Sequence, residues 1–317
     1  MRKYNNKTRL LTSILTLLVI ASLFSTTALA AGEEENGGTI GGGYAATGQI
    51  ENVGYTSVIY DATNGLPTSD ANFILGASNG YVWIGGYSGI IRYDGTTFER
   101  LDTSDGLTSG RGFFEDSKGR IWVATNDNGV VVLDGEERIH FTYKDGLPSS
   151  SIRIFAEDQN GDIYIGTTAG ICYVDSGMTV HVIDDERVNE ERVLKLVSDS
   201  EGRIYGQTTN GIIFSIDDHR VSELYESSQI GVEKISTILA DPDHAGKLYI
   251  GTEGDAIYYG DFGDDADHMK RISVAPIENT HWLSYDCGRV WAASTTVAGY
   301  IEDGRFYVLS YSHEQRY

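Results

Sequence analysis

The chain of 317 residues carries 24 basic and 46 acidic side chains, a net charge of −22, and 40% hydrophobic residues. That balance repels polyphosphate backbones and anionic membrane surfaces, which excludes nucleic acid as a partner. Four Pro, 38 Gly, 20 Tyr and no long helical periodicity describe a foldable, strand-rich chain.

Residues 1–30 begin with Arg2, Lys3, Lys7 and Arg9, run through an apolar stretch at 10–24 and reach Ala28-Leu29-Ala30. This is the pattern of a secretory signal peptide cleaved after Ala30. A retained anchor needs about 20 apolar residues, whereas Thr12, Ser13, Thr16 and Ser22 interrupt this run. Residues 31–54 are rich in Gly and Glu with little to bury, so they read as a flexible leader. Residues 55–317 form the folded domain.

Within that domain one unit repeats. In the stretch 81–95, YVWIGGYSGIIRYDG, an aromatic residue stands at Trp83, and its counterparts fall at Trp122, Tyr164, Tyr205, Tyr249 and Trp291, spaced by 39, 42, 41, 44 and 42 residues. Each unit alternates apolar and polar residues in four short runs separated by turn residues such as Asn79-Gly80 and Asp94-Gly95, where type I′ hairpins place positive φ. Four antiparallel strands at a constant period, with no helix between, predict an all-β fold, a β-propeller of four-stranded antiparallel blades. Gly65-Leu66-Pro67, Gly106-Leu107 and Gly146-Leu147-Pro148 join successive units, and their Leu is expected to plug the gap between blades. Later units lose this signature.

Six full sets of strands are recognisable, the last ending at 306–311. A further strand at 56–60 resembles an outer strand with no blade to complete. The ring is therefore expected to be seven-bladed and truncated, with a blade beyond Tyr317. A closed six-blade ring with one superfluous strand is the alternative.

The run GLPTSDANFILGASNGYVWIGGYSGIIRYDG, echoed by GLTSGRGFFEDSKGRIWVATNDNGVVVLDG and GLPSSSIRIFAEDQNGDIYIGTTAGICYVDS, resembles the two-component regulator propeller repeats of bacterial sensor proteins. The resemblance covers about residues 55–311 and is closest in the first three units. It implies an extracytoplasmic ligand-sensing domain of a signalling protein, non-catalytic itself. The membrane span and the histidine kinase or diguanylate cyclase output would lie in a missing C-terminal part, and the full-length receptor would be a possible dimer.

The residues offer little catalytic chemistry. There is no nucleophile elbow, HExxH motif or P-loop. His140, His181, His219 and His281 stand on different units, so no metal and no cofactor is expected. The acidic segment 261–267 lacks the alternating ligands of a calcium loop. Most other carboxylates, Asp116 and Asp158 among them, stand in hairpins, where Asp bonds its own backbone. Cys172 and Cys287 lie about three units apart, which argues against a disulfide and for two buried or half-buried thiols.

A ligand site is expected at the mouth of the central channel, where innermost strands begin and second strands turn into third. Counting back from the repeat aromatic places Asn72, Arg111, Arg153 and His281 there; the turns add Tyr87, Asn126, Asp127, Thr168 and Thr209. Trp282, out of register with the packing aromatics, is a candidate sugar platform. Arginines in so acidic a chain point to an anion such as a carboxylated sugar, because a guanidinium binds carboxylate bidentately. The bland alternative is that Arg111 and Arg153 bond carbonyls between blades. A small carbohydrate-derived ligand is the leading partner. A secreted polysaccharide lyase or glycoside hydrolase, which would need paired acid/base residues at the mouth, and a protein-interaction scaffold are the alternatives.

Overall fold

The structure, a computed structural model, describes residues 60–311 apart from 62, 64, 69, 70, 88, 102 and 273–278. The signal peptide, the leader and the strand expected from residue 56, save Tyr60, lie outside the described residues. Six blades follow one another along the chain. The first contains β1 (Phe73–Gly76), β2 (Val82–Gly86), β3 (Gly89–Tyr93) and β4 (Phe98–Arg100). The second contains β5 (Gly112–Glu115), β6 (Ile121–Ala124), β7 (Val130–Asp134) and β8 (Glu137–Phe141). The third contains β9 (Ile152–Glu157), β10 (Ile163–Thr167), β11 (Ile171–Val174) and β12 (Val180–Ile183). The fourth contains β13 (Val193–Ser198), β14 (Ile204–Thr208), β15 (Ile213–Asp217) and β16 (Arg220–Tyr225). The fifth contains β17 (Lys234–Ala240), β18 (Lys247–Glu253), β19 (Ile257–Asp261) and β20 (Lys270–Ile272). The sixth contains β21 (Trp282–Asp286), β22 (Arg289–Ala293), β23 (Val297–Glu302) and β24 (Arg305–Tyr311).

Every sheet keeps chain order, so each strand hydrogen-bonds to the one before it. The result is a six-bladed propeller; the seventh blade expected beyond Tyr317 falls outside the described residues. No helix among the described residues is long and apolar enough to cross a membrane.

The turn chemistry is simpler than type I′ at most hairpins. In the second blade Gly119 N bonds Asp116 O and Asp116 N bonds Arg120 O, and only Gly119 has positive φ (82°). That is a type I turn closed by a left-handed glycine, which needs one permissive residue rather than two. Two-residue turns with both φ positive occur at Asp218-His219, Cys287-Gly288 and Asp303-Gly304. In the hairpin between β11 and β12 the left-handed residue is Met178 (φ 63°) and not the preceding Gly177. Asp94 shows why Asp occupies these turns. Its Oδ1 accepts from the amides of Thr96 and Thr97, both at 2.7 Å, and those bonds, Thr97 first, hold the carboxyl far below its usual range.

The repeat aromatics pack the blades. Trp122 and Tyr205 are fully buried, and Trp83, Tyr164 and Trp291 nearly so. The second-blade aromatic also anchors its own hairpin: Trp122 Nε1 donates to Asp116 Oδ2 at 2.8 Å, beside Arg120 Nε at 2.6 Å. In the first blade Ala77 stands at the place of that Asp, and Trp83 Nε1 is buried without a partner among the described residues. Asp116→Ala is expected to destabilise the fold by about 3–5 kcal/mol, because it leaves a buried guanidinium and an indole N–H unpaired. Denaturant unfolding monitored by Trp fluorescence measures this.

The linker leucines plug the seams. Leu107 lies in the core shared by the first and second blades, and Leu147 in that of the second and third. Where the Gly-Leu signature is lost, Val188 and Val232 take over the same task. Cys172 is buried, which pushes its thiol pKa well up. Cys287, expected to be at least half-buried, is instead exposed, because it stands in a two-residue surface turn.

Along the axis the ring is filled. Phe73 meets Trp282 edge-on at 5.7 Å and Phe113 at 6.3 Å. From the fourth blade, Lys195 reaches across the axis, its Nζ 3.7 Å from the centre of the Trp282 ring and 3.1 Å from Leu283 O. These side chains join the first, second, fourth and sixth blades and close the axis beneath the mouth.

Candidate functional site

Antiparallel order places the second-to-third-strand turns and the starts of the innermost strands on one face of the ring, the mouth. Asn72 and Arg111 enter their blades identically, Asn72 N bonding Gly85 O and Arg111 N bonding Ala124 O. Arg153 arrives differently. It is the extra residue of a β-bulge in β9, between Ile152, paired with Thr167, and Ile154, paired with Gly166. A bulge re-aims a side chain locally, and here it carries a guanidinium.

Arg153 has Arg111 and Arg192 as electrostatic neighbours, with the Tyr87 phenol on the favourable side. Burial first, and then the positive field of those two arginines, lowers its pKa. None of the three arginines pairs with a carboxylate among the described residues. Among the described residues, Arg153 Nε is buried without a hydrogen-bond partner, as is Asn72 Nδ2. No hydrogen bond from the Arg111 or Arg153 guanidinium to an inter-blade carbonyl occurs among the described residues. Three like charges gathered in a chain of net charge −22 repel one another, and an anion relieves that repulsion.

The other expected residues have separate places. Tyr87 is 61% exposed at the turn after β2. The Asn126 backbone amide donates to Ser109 Oγ at 3.1 Å. Thr168 Oγ1 bonds Ser149 Oγ at 2.8 Å, and Thr209 N bonds Arg192 O. His281 is exposed, its amide bonded to Ala293 O. Trp282 is less available as a platform than its sequence position suggested, since the Lys195 ammonium covers its ring and Phe73 abuts it.

Arg192 was missed by counting. Eleven residues before Tyr205 stands Leu194, the extra residue of a second bulge between Val193 and Lys195 in β13. Leu194 interrupts the polar ring, and Arg192 two residues earlier supplies the cation. A third bulge, in β17 between Ile235 and Thr237, shows that the inner strands of three successive blades share the irregularity.

These features define a six-bladed β-propeller with three neighbouring arginines on one face. Residues 110–127 and 146–169, in and around the second and third blades, match the model of the two component regulator propeller. No curated protein matches the sequence. Among solved structures, it is similar to the extracellular domain of a hybrid two component system from B. thetaiotaomicron, with 18% identity and a TM-score of 0.63 over 78% of this chain. The chain spans 37% of that ectodomain's length. It is also similar to a streptogramin B lyase, with 16% identity and a TM-score of 0.64, covering 79% of this chain and 85% of that one. A catalytically inactive virginiamycin B lyase from Staphylococcus aureus with quinupristin gives 13% identity and a TM-score of 0.60, covering 78% and 85%. At such identities the likeness is one of fold.

Proposed function

We propose that this propeller is the extracytoplasmic ligand-sensing module of a bacterial transmembrane signalling protein, and that its mouth binds an acidic, carbohydrate-derived ligand. The observation that carries the reading is the group Arg111, Arg153 and Arg192, gathered without a carboxylate partner, with a buried unpaired Nε on Arg153. Guanidinium forks suit carboxylates or sulfates presented on a rigid sugar ring. The side chains crossing the axis make the mouth a cup that a ligand enters from one side. The match to the propeller-repeat model supports the sensor class over the lyase class, while the fold is shared with both. In this reading the propeller is not an enzyme, and its output module is a histidine kinase or diguanylate cyclase.

A thermal-shift comparison tests the ligand class. Acidic oligosaccharides, with oligogalacturonate and heparin fragments as probes, are expected to raise Tm by several degrees at millimolar concentration. Neutral maltohexaose is expected to leave it unchanged. An equal shift with maltohexaose, or none with any acidic glycan, counts against the reading.

A further inference from the structure

The face opposite the mouth carries the first-to-second-strand and third-to-fourth-strand turns, and there the repeats act as internal controls for one another. Four hairpins close with the same bond from an Asp amide: Asp116 to Arg120 O, Asp158 to Asp162 O, Asp199 to Arg203 O and Asp241 to Lys247 O. Three of the four closing residues are cations. Arg120 shows what the cation does, since it sits on Asp116 at 2.6 Å and reaches across the seam to Met178 Sδ of the next blade at 3.1 Å.

The third blade breaks this pattern. At the cation's place it has a second carboxylate, Asp162, which is 8% exposed. Across the seam, where the previous pair of blades has Met178, the fourth blade presents His219. Its Nε2 lies 2.9 Å from Asp162 Oδ2, and its ring lies flat on Tyr173, with centroids 4.0 Å apart and planes 9° apart. One donor atom from each of Asp158, Asp162 and His219 lies within 4.8 Å of the others. Asp162 Oδ1 has no hydrogen-bond partner among the described residues. The three residues line a groove of about 340 Å³ between the blades, open to solvent on its outer side.

We propose that Asp158, Asp162 and His219 form a zinc-class divalent cation site that joins the third and fourth blades, the bound ion replacing the arginine that neighbouring blades carry in the chain. Imidazole and carboxylate together suit Zn²⁺, while an imidazole argues against Ca²⁺, which takes oxygen ligands. Donors on a tetrahedral zinc at about 2.0–2.2 Å stand roughly 3.3–3.5 Å apart, so side-chain movements of about 1 Å complete the site. The groove leaves a fourth position for water. The stacked Tyr173 holds the imidazole plane, the orienting role that second-shell groups play around zinc.

The purified chain, stripped with a chelator and titrated with ZnCl₂ by calorimetry, is expected to bind one equivalent at micromolar or tighter Kd. Asp162→Asn and His219→Asn should each weaken that equivalent at least tenfold; Asn tolerates the left-handed backbone at residue 219 (φ 59°). Asp162→Arg, which restores the second-blade pattern, should remove zinc binding and also the zinc-induced rise in Tm, with an unchanged far-UV spectrum. Absence of uptake by the parent chain would show that His219 and Asp162 form only an ion pair. Undiminished uptake in both Asn variants would put the zinc on other surface histidines. Either result overturns the proposal.

Discussion

Arg153→Glu is expected to lower the affinity for acidic oligosaccharide at least ~100-fold while leaving the fold intact, with Arg153→Ala lying between it and the parent chain. Losing one charge-assisted contact at a half-buried guanidinium costs about 1.5–3 kcal/mol, and the introduced carboxylate adds repulsion of the ligand. Stability should move the other way. Arg153 is held half-buried against Arg111 and Arg192 with its pKa lowered, so its removal relieves like-charge strain in the unliganded ring. Thermal melts of Arg153→Ala should show an unchanged or higher Tm. A loss of folding would mean that the guanidinium is a packing element. Binding by the parent chain should also weaken as salt rises, because contacts at an open mouth are screened.

The second large effect centres on Lys195. Burial pushes its ammonium down to about 8 from 10.5, despite the favourable Trp282 ring and Leu283 carbonyl. A lysine whose folded pKa lies below its unfolded pKa binds fewer protons in the native state, so stability rises with pH between about 8 and 10.5. The charged form therefore costs stability below pH 8, on the order of 3 kcal/mol from the size of that shift. Lys195→Met keeps the volume and removes the charge, and is expected to be neutral or stabilising by about 1–3 kcal/mol at pH 7. Its advantage over the parent should shrink as pH approaches 10. Lys195→Ala opens a void on the axis and leaves Leu283 O unpaired, a loss of about 2–4 kcal/mol. Denaturant unfolding from pH 6 to 10 measures all three chains. Taking the difference between parent and Lys195→Met isolates the lysine from the buried tyrosines, such as Tyr205, whose raised pKa makes them titrate at the alkaline end. A pH-independent difference would mean that the ammonium is well solvated.

Both residues show where counting along the chain succeeds and where it stops. Counting eleven residues back from the repeat aromatic places Arg111 and Arg153 at the mouth, because hairpins of constant length hold each inner strand at a constant offset from its aromatic. The same count lands on the bulged residue in both β9 and β13; in β13 that residue is Leu194 and the cation stands two places earlier, which hid Arg192. Lys195 carried no signal, since an inward lysine reads like an outward one until the sixth blade supplies Trp282 across the axis. His219 looked solitary for the same reason. Its partners, Asp158 and Asp162, are 57 or more residues away and belong to another blade.

The features legible along the chain are local and repetitive: four strands per unit, Asp and Gly at the hairpins, an aromatic at the centre of each second strand and a hydrophobic plug between early units. These follow from period-2 alternation and turn chemistry, which act over a few residues. The tertiary structure alone decided the convergences: three arginines sharing one field, a lysine closing the axis, and a histidine set on two aspartates across a seam. A radial array brings together residues dozens of positions apart, and the electrostatic cost or gain of doing so depends on distance in space, of which the spacing along the chain carries no record.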